Sequence, residues 1–377
     1  MAGRVENINK DILRQCREQI GLSLPVVVKK VAKIADIEQG DHKPTFKQLD
    51  TLAELYKVPR WVFISDTLPE KYQFARSIPV FRQFADKNAD IFSDYKVRSL
   101  TTKVERFREL ILELYDDINE TVAPFNPPDL KSNLSIDLTT NLIRDWLGAP
   151  TESYPFTNWK EMLEEQGVFV FMTSKYKGWS HIDKKVFRGL AVYHSTLPII
   201  IVNDSDANKA QSFTLFHELG HLLRKESAID NWDGYSEQVE KWCDEFSGNL
   251  LMPTDQIRPK AQIVNDLDDV KNIAKQFNVS SYACLVRLRQ LNLITQSTYN
   301  GFEAQLKNEY RERTKKMKDS PGGPSRNRPK EVFAQYGRIY SRAIFQAYYN
   351  QDLGLKKLCQ LFDLKRPSYA LELEGQI

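Results

Sequence analysis

Two imidazoles one helical turn apart, with a carboxylate beside the first, constrain this chain more than any other feature. They stand in the stretch Phe213-Thr-Leu-Phe-His217-Glu218-Leu-Gly-His221-Leu-Leu223. The pattern predicts an amphipathic helix. At about 3.6 residues per turn and roughly 1.5 Å rise per residue, His217 and His221 leave one face about 6 Å apart along the axis. Both rings can then reach one small cation, while Glu218 is offset around the cylinder. The approach supports this reading. Leu197-Pro-Ile-Ile-Ile-Val202 is a short apolar run with β-branched bias, and Asn203-Asp-Ser-Asp206 is a turn, so a strand delivers the chain to the helix.

The spacing His-Glu-x-x-His suits a hydrolytic zinc site, in which two histidines bind the ion and the glutamate takes a proton from its water. The chain has only five His, which makes an accidental match rare. The bland alternative is a core helix whose histidines happen to face outward. A catalytic zinc takes three protein ligands and leaves one position for water, so a third ligand is expected from a helix downstream. The candidate is Ser236-Glu-Gln-Val-Glu240-Lys-Trp-Cys-Asp244-Glu-Phe246. Trp242, Phe246 and Leu250 make an inward apolar stripe, and Glu240 and Asp244 share another face one turn apart. Asp233 and Glu237 are further acids in reach. Cys243 beside Trp242 reads as a small buried residue.

Bulk properties bound the rest. A length of 377 residues suggests two or three domains, and 41% hydrophobic with 27% charged residues is the balance of a soluble globular protein. The net charge of +3 does not by itself imply a nucleic-acid partner. No apolar run approaches a membrane span and the N-terminus lacks a signal-peptide core, so no membrane association is expected. The four Cys are far apart and form no Cys-x-x-Cys pair, as expected of reduced thiols in a cytoplasm.

Residues 8–66 carry helical periodicity. Ile12, Leu13, Cys16 and Ile20 form one apolar face, and a second helix starts near Gln48. Between them, Ile37-Glu-Gln-Gly40-Asp-His-Lys-Pro44-Thr45 resembles the segment after the recognition helix of Xre-type helix-turn-helix domains. Between Gly21 and Glu38 the chain is about one helical turn short of two full motif helices. Lys29, Lys30 and Lys33 are the candidate nucleic-acid contacts and suit phosphates better than base edges. A degenerate domain kept for packing or partner binding is the competing reading.

From residue 136 the pattern alternates between helix and strand. Strands are expected over 167–172, 187–193 and 197–202, with helices over 138–147 and 159–166. Four motifs, Phe187-Arg188-Gly189, Pro198-Ile-Ile-Ile-Val-Asn203, the His217 stretch and Phe246-Ser-Gly-Asn-Leu-Leu-Met-Pro253, resemble the ImmA/IrrE family of metallo-endopeptidases. They cover about a third of the chain. The resemblance implies a small mixed sheet backed by helices, zinc as cofactor (with manganese as the alternative ion), and Glu218 as the catalytic base. It implies His217, His221 and Glu240 as ligands, Glu240 standing six residues before Phe246, and Asp244 as the residue orienting a ligand. Where many members have a second acid, this chain has Trp242. Arg188 and Asn203 match family motifs and are read as positioning backbone; His181 and His194 are read as residues without a catalytic part.

A helix–turn–helix over 270–288 is expected to pack behind the site. Beyond it Arg311, Arg313, Lys315 and Lys316 open a basic run, and Tyr336, Tyr340, Tyr348 and Tyr349 follow among further basic residues. Such interleaving suits single-stranded nucleic acid, although a solvated face is the commoner identity of a charge run. The expected fold class is α+β and mostly helical. It comprises an Xre-like domain over 1–66, a helical connector over 67–135, a zinc peptidase-like domain over 136–300 and a basic helical domain over 301–377. The expected function is a zinc endopeptidase acting on a protein substrate, by resemblance an Xre-like repressor or antitoxin controlling stress-response, mobile-element or defence genes. The alternative is a DNA-binding regulator or antitoxin that acts by binding alone.

Overall fold

The computed structural model describes residues 3–69, 72, 80–81, 95–130, 134–149, 151, 153–176, 180–183, 186, 188–224, 237–262, 264–318 and 326–377, without the side chains of 80, 81, 95, 237 and 313–318. The N-terminal unit is α1 (Lys10–Gln19), α2 (Leu24–Val28), α3 (Ile34–Gln39) and α4 (Phe46–Tyr56), closed by a 3-10 turn over Arg60–Ile64. Local chemistry sets these ends. The Asn9 side chain caps α1, left-handed Gly40 ends α3, and Thr45 with Gln48 forms a capping box on α4. Ile12, Leu13, Cys16, Ile34, Ile37, Leu49 and Leu52 share the core. Inside it, the Arg17 guanidinium grips the Glu38 carboxylate through two bonds of 2.7 and 2.9 Å. The segment between Gly21 and Glu38 does hold two helices, each shortened, to five and six residues. Lys29, Lys30 and Lys33 are exposed but lie between α2 and α3 rather than along either helix.

The next elements are β1 (Val80–Phe81), α5 (Tyr95–Asp117), α6 (Ile136–Trp146), α7 (Phe156–Glu165), β2 (Phe169–Met172), β3 (Gly189–Val192) and β4 (Ile199–Val202). The sheet order is β1-β3-β4-β2, with β2 parallel to β4 and the other pairs antiparallel. All three strands β2 to β4 are shorter than the sequence suggests; β2 and β4 start late because the backbone before them is left-handed, at Gly167 (φ +76°) and Leu197 (φ +53°). A Cβ at Gly167 would overlap the Ala123 carbonyl, so glycine is required there.

Helices complete the chain: α8 (Asn208–Leu223), α9 (Glu237–Leu251), α10 (Thr254–Ala261), α11 (Leu267–Gln276), α12 (Ser281–Gln290), α13 (Gln296–Lys318), α14 (Arg328–Tyr349), α15 (Leu355–Leu361) and α16 (Ser368–Glu374). Alternation along the strands separates two cores. Val170, Met172, Ala191, Ile200 and Val202 face one core with α8 and α9. Phe169, Phe171, Leu190, Ile199 and Ile201 face the other with α5 and α14. Helix α5 and the C-terminal helices α14, α15 and α16 together close the far face of the sheet. Tyr336 and Tyr340 are buried in that core, at 1% and 0% exposure, so neither offers a stacking surface to a base. Tyr349 is exposed.

One break positions α14. Gly337 (φ +74°, ψ −175°) interrupts the helix, and the N–H of Arg338 donates to Glu164 Oε2 at 2.9 Å. Glu164 in turn bonds Lys160 at 2.8 Å in a buried pair. A Cβ at Gly337 would overlap the Glu164 and Lys160 side chains. Gly337→Ala should therefore destabilise the fold by about 3–5 kcal/mol, combining left-handed strain with a broken buried pair. Denaturant unfolding measures this; a loss within about 0.5 kcal/mol, the range of a neutral surface change, would contradict it.

Candidate metal centre

Beyond its exposed first turn, helix α8 is buried almost all round rather than amphipathic, and it lies between the sheet and α9. His217, Glu218 and His221 are 1%, 0% and 0% exposed. Three polar groups at such depth need partners. Glycine brings the second helix close: a Cβ on Gly220 would lie 3.0 Å from Cys243 Sγ, so the bare Cα lets α9 approach at that point. The approach brings Glu240, on α9, to the two rings on α8.

Glu240 Oε2 lies 3.2 Å from His217 Nε2, and Oε1 lies 3.4 Å from His221 Nε2. The two Nε2 atoms are 3.2 Å apart. Burial works against the Glu240 carboxylate, but the bonds and charges of His217 and His221 outweigh it and hold the carboxyl well below the usual carboxylate range. Among the described residues, this is the group of three His, Cys, Asp or Glu whose donor atoms converge closely enough for a metal ion. The donor set fits zinc. Tetrahedral bonds of about 2.0–2.1 Å put ligand atoms about 3.3 Å apart; the two ring nitrogens are 3.2 Å apart, and each has a different oxygen of the Glu240 carboxylate within 3.2–3.4 Å.

Asp244, one turn after Glu240, meets His217 from behind. Its Oδ1 lies 3.0 Å from His217 Nδ1. With Nδ1–H donating to this carboxylate, the Nε2 lone pair is left pointing at the shared centre. Glu218 is held by the sheet. A Cβ at Gly189 would overlap Thr214 and the Glu218 carboxylate, so β3 can carry no side chain beneath the glutamate. Gly189 belongs to a motif quoted from the sequence, yet its contact with Glu218 spans two elements and leaves no local signal.

The structure places the other candidates elsewhere. His181 Nδ1 lies 2.8 Å from the Ser174 carbonyl, and His194 Nε2 lies 3.1 Å from Glu105; neither belongs to the three-residue cluster. Asn203 is fully buried and organises backbone, its amide donating to Ile182 O and its oxygen accepting from Ser205 N. Arg188 lies 3.4 Å from Asp206, and its carbonyl accepts from Asn203 N. Cys243 is buried. Lys29, Lys30 and Lys33 lie in the N-terminal unit and Arg311 on exposed α13, so none of them joins the His217 cluster. Arg313, Lys315 and Lys316 also lie on α13, with side chains outside the described residues, and Asp233 falls outside altogether.

A mixed sheet thus lies beside a buried helix with two histidines, which an acid from the next helix joins. Residues 164–289 match the IrrE N-terminal-like domain of the peptidase M78 family, which supports a metallopeptidase-type function for this part of the chain. That third of the chain runs from the end of α7 into α12 and contains the whole His217–His221–Glu240 cluster. No curated protein matches the chain.

Two substitutions separate the parts. Asp244→Ala should weaken zinc binding about 10–100-fold by freeing the His217 ring, read by competition with a chromophoric chelator. Gly189→Ala should displace Glu218 while zinc binding stays near wild type. Unchanged affinity in the first, or zinc loss in the second, contradicts these assignments.

Proposed function

We propose that this chain is a zinc-dependent endopeptidase that cuts a protein substrate. The reading is carried by the convergence of the His217, His221 and Glu240 side chains within 3.2–3.4 Å of one another, with Glu218 buried on the helix that carries the histidines. Bound zinc would supply Lewis acidity, lowering the pKa of water to about 7 and polarising a peptide carbonyl. Glu218 takes up the proton released by the water and passes it to the departing amine. Asp244 fixes the His217 tautomer, and Gly189 keeps the space in which Glu218 lies. Manganese suits the same nitrogen and oxygen donors.

For the substrate we propose an Xre-like repressor or antitoxin, on the strength of the family resemblance. The N-terminal helical unit then acts in recruitment by pairing with a like domain of the substrate. Lys29, Lys30 and Lys33 leave room for a nucleic-acid contact, and binding to DNA alone is the competing reading.

Purified full-length chain, loaded with zinc, should cleave an Xre-like protein encoded beside it. Glu218→Gln should retain zinc yet lose about 10²–10⁴-fold in rate, the range of a lost general base, whereas His217→Ala should lose the metal. Cleavage by Glu218→Gln at the wild-type rate would remove Glu218 from this role.

A further inference from the structure

A cavity of about 340 Å³ opens beside the His217 cluster, between the first turns of α8, the later part of α9 and α12. It begins at Asp244, whose Oδ1 bonds His217, and Phe213 lines it one turn before His217. Its charges are unequal. Arg188, Lys209 and Arg287 line the cavity with the single acid Asp244; Arg188 is paired with Asp206 and Asp244 with His217, which leaves Lys209 and Arg287 as the cations to consider.

Arg287 is the telling group. It is 2% exposed, and its hydrogen bonds run to neutral oxygens: the Met252 carbonyl at 3.3 Å, Thr254 Oγ1 at 2.9 Å and the Asn249 side chain. No carboxylate among the described residues forms an ion pair with it. Burial pushes its pKa down to about 10, partly offset by the more distant Asp137 and Glu245. A desolvated cation on a cavity wall is stabilised most by an anion that enters the cavity. Lys209 stands exposed on the same rim and adds to that field.

We infer that this cavity is a specificity pocket for an acidic side chain, so that the substrate carries Asp or Glu at one fixed position beside the scissile bond. The inference rests on the peptidase reading and adds the chemical class of residue recognised. Phe213, Met252 and Val286 line the apolar part and accommodate the methylenes of a glutamate.

The test uses the full chain loaded with zinc and a proteome-derived peptide library, with cut sites read by mass spectrometry. In parallel, peptides retained by the Glu218→Gln variant are identified. Asp or Glu should be favoured over Lys at one position by about tenfold or more in kcat/KM, and the retained peptides should share it. Lys209→Glu should reduce that ratio by about tenfold, the scale of one charge contact in a partly desolvated site, with zinc content unchanged. Cutting without an acidic preference, or with a preference that Lys209→Glu leaves intact, overturns the pocket assignment and leaves the peptidase reading standing. Neither cutting nor retention overturns both.

Discussion

The close approach of α9 to α8 decides what this chain can do chemically. Gly220 on α8 has no Cβ, and Cys243 fills the gap with a small side chain. Because the helices touch there, Glu240 reaches both His217 and His221, and one turn later Asp244 reaches the back of His217. A larger residue at Gly220 would push the helices apart and move the acid away from the rings. The three donors are therefore products of helix packing as much as of residue identity. The two imidazoles are withdrawn from water, which is costly unless they are partnered, while the Glu240 side chain stays 36% exposed. A bound cation offsets that cost, and so the buried cluster supports a metal-binding role.

The rest of the fold fixes the helix pair. The sheet presents one apolar face to α8 and α9 and the other to α5 and α14, so the active helix lies against a layer that is itself packed from behind. Gly189 on β3 sets the floor under Glu218, and Asn203 ties the turn after β4 to the loop holding Ile182. The C-terminal helices belong to this support. Tyr336 and Tyr340, which from sequence look suited to stacking on bases, fill the second core instead.

What was legible in the sequence was what depends on neighbours along the chain. His217, Glu218 and His221 are fixed by the spacing of a single helix, and caps such as Thr45 announce themselves locally. Glu240 lies many residues downstream and was reached through family resemblance, because nothing in its own helix distinguishes it from Glu237. The bond from Asp244 to His217, the void at Gly189 and the buried Arg287 all arise where separate elements meet. Period and spacing do not encode such meetings. The amphipathic reading of α8 failed for the same reason: a helix enclosed by a sheet and another helix has no solvent face to mark. Strands β2 and β4 were overextended at their starts because left-handed turns at Gly167 and Leu197 stop the ladder, and the second is invisible in a leucine.

The central claim is that one divalent ion is held by two imidazole nitrogens and a carboxylate, with a coordination position left for solvent. X-ray absorption at the zinc edge of the full-length, zinc-loaded chain tests it most directly. The account predicts a first shell of nitrogen and oxygen only, at about 2.0–2.1 Å, with imidazole outer-shell scattering from two rings. A sulfur shell near about 2.3 Å, or scattering from a single imidazole, would contradict it.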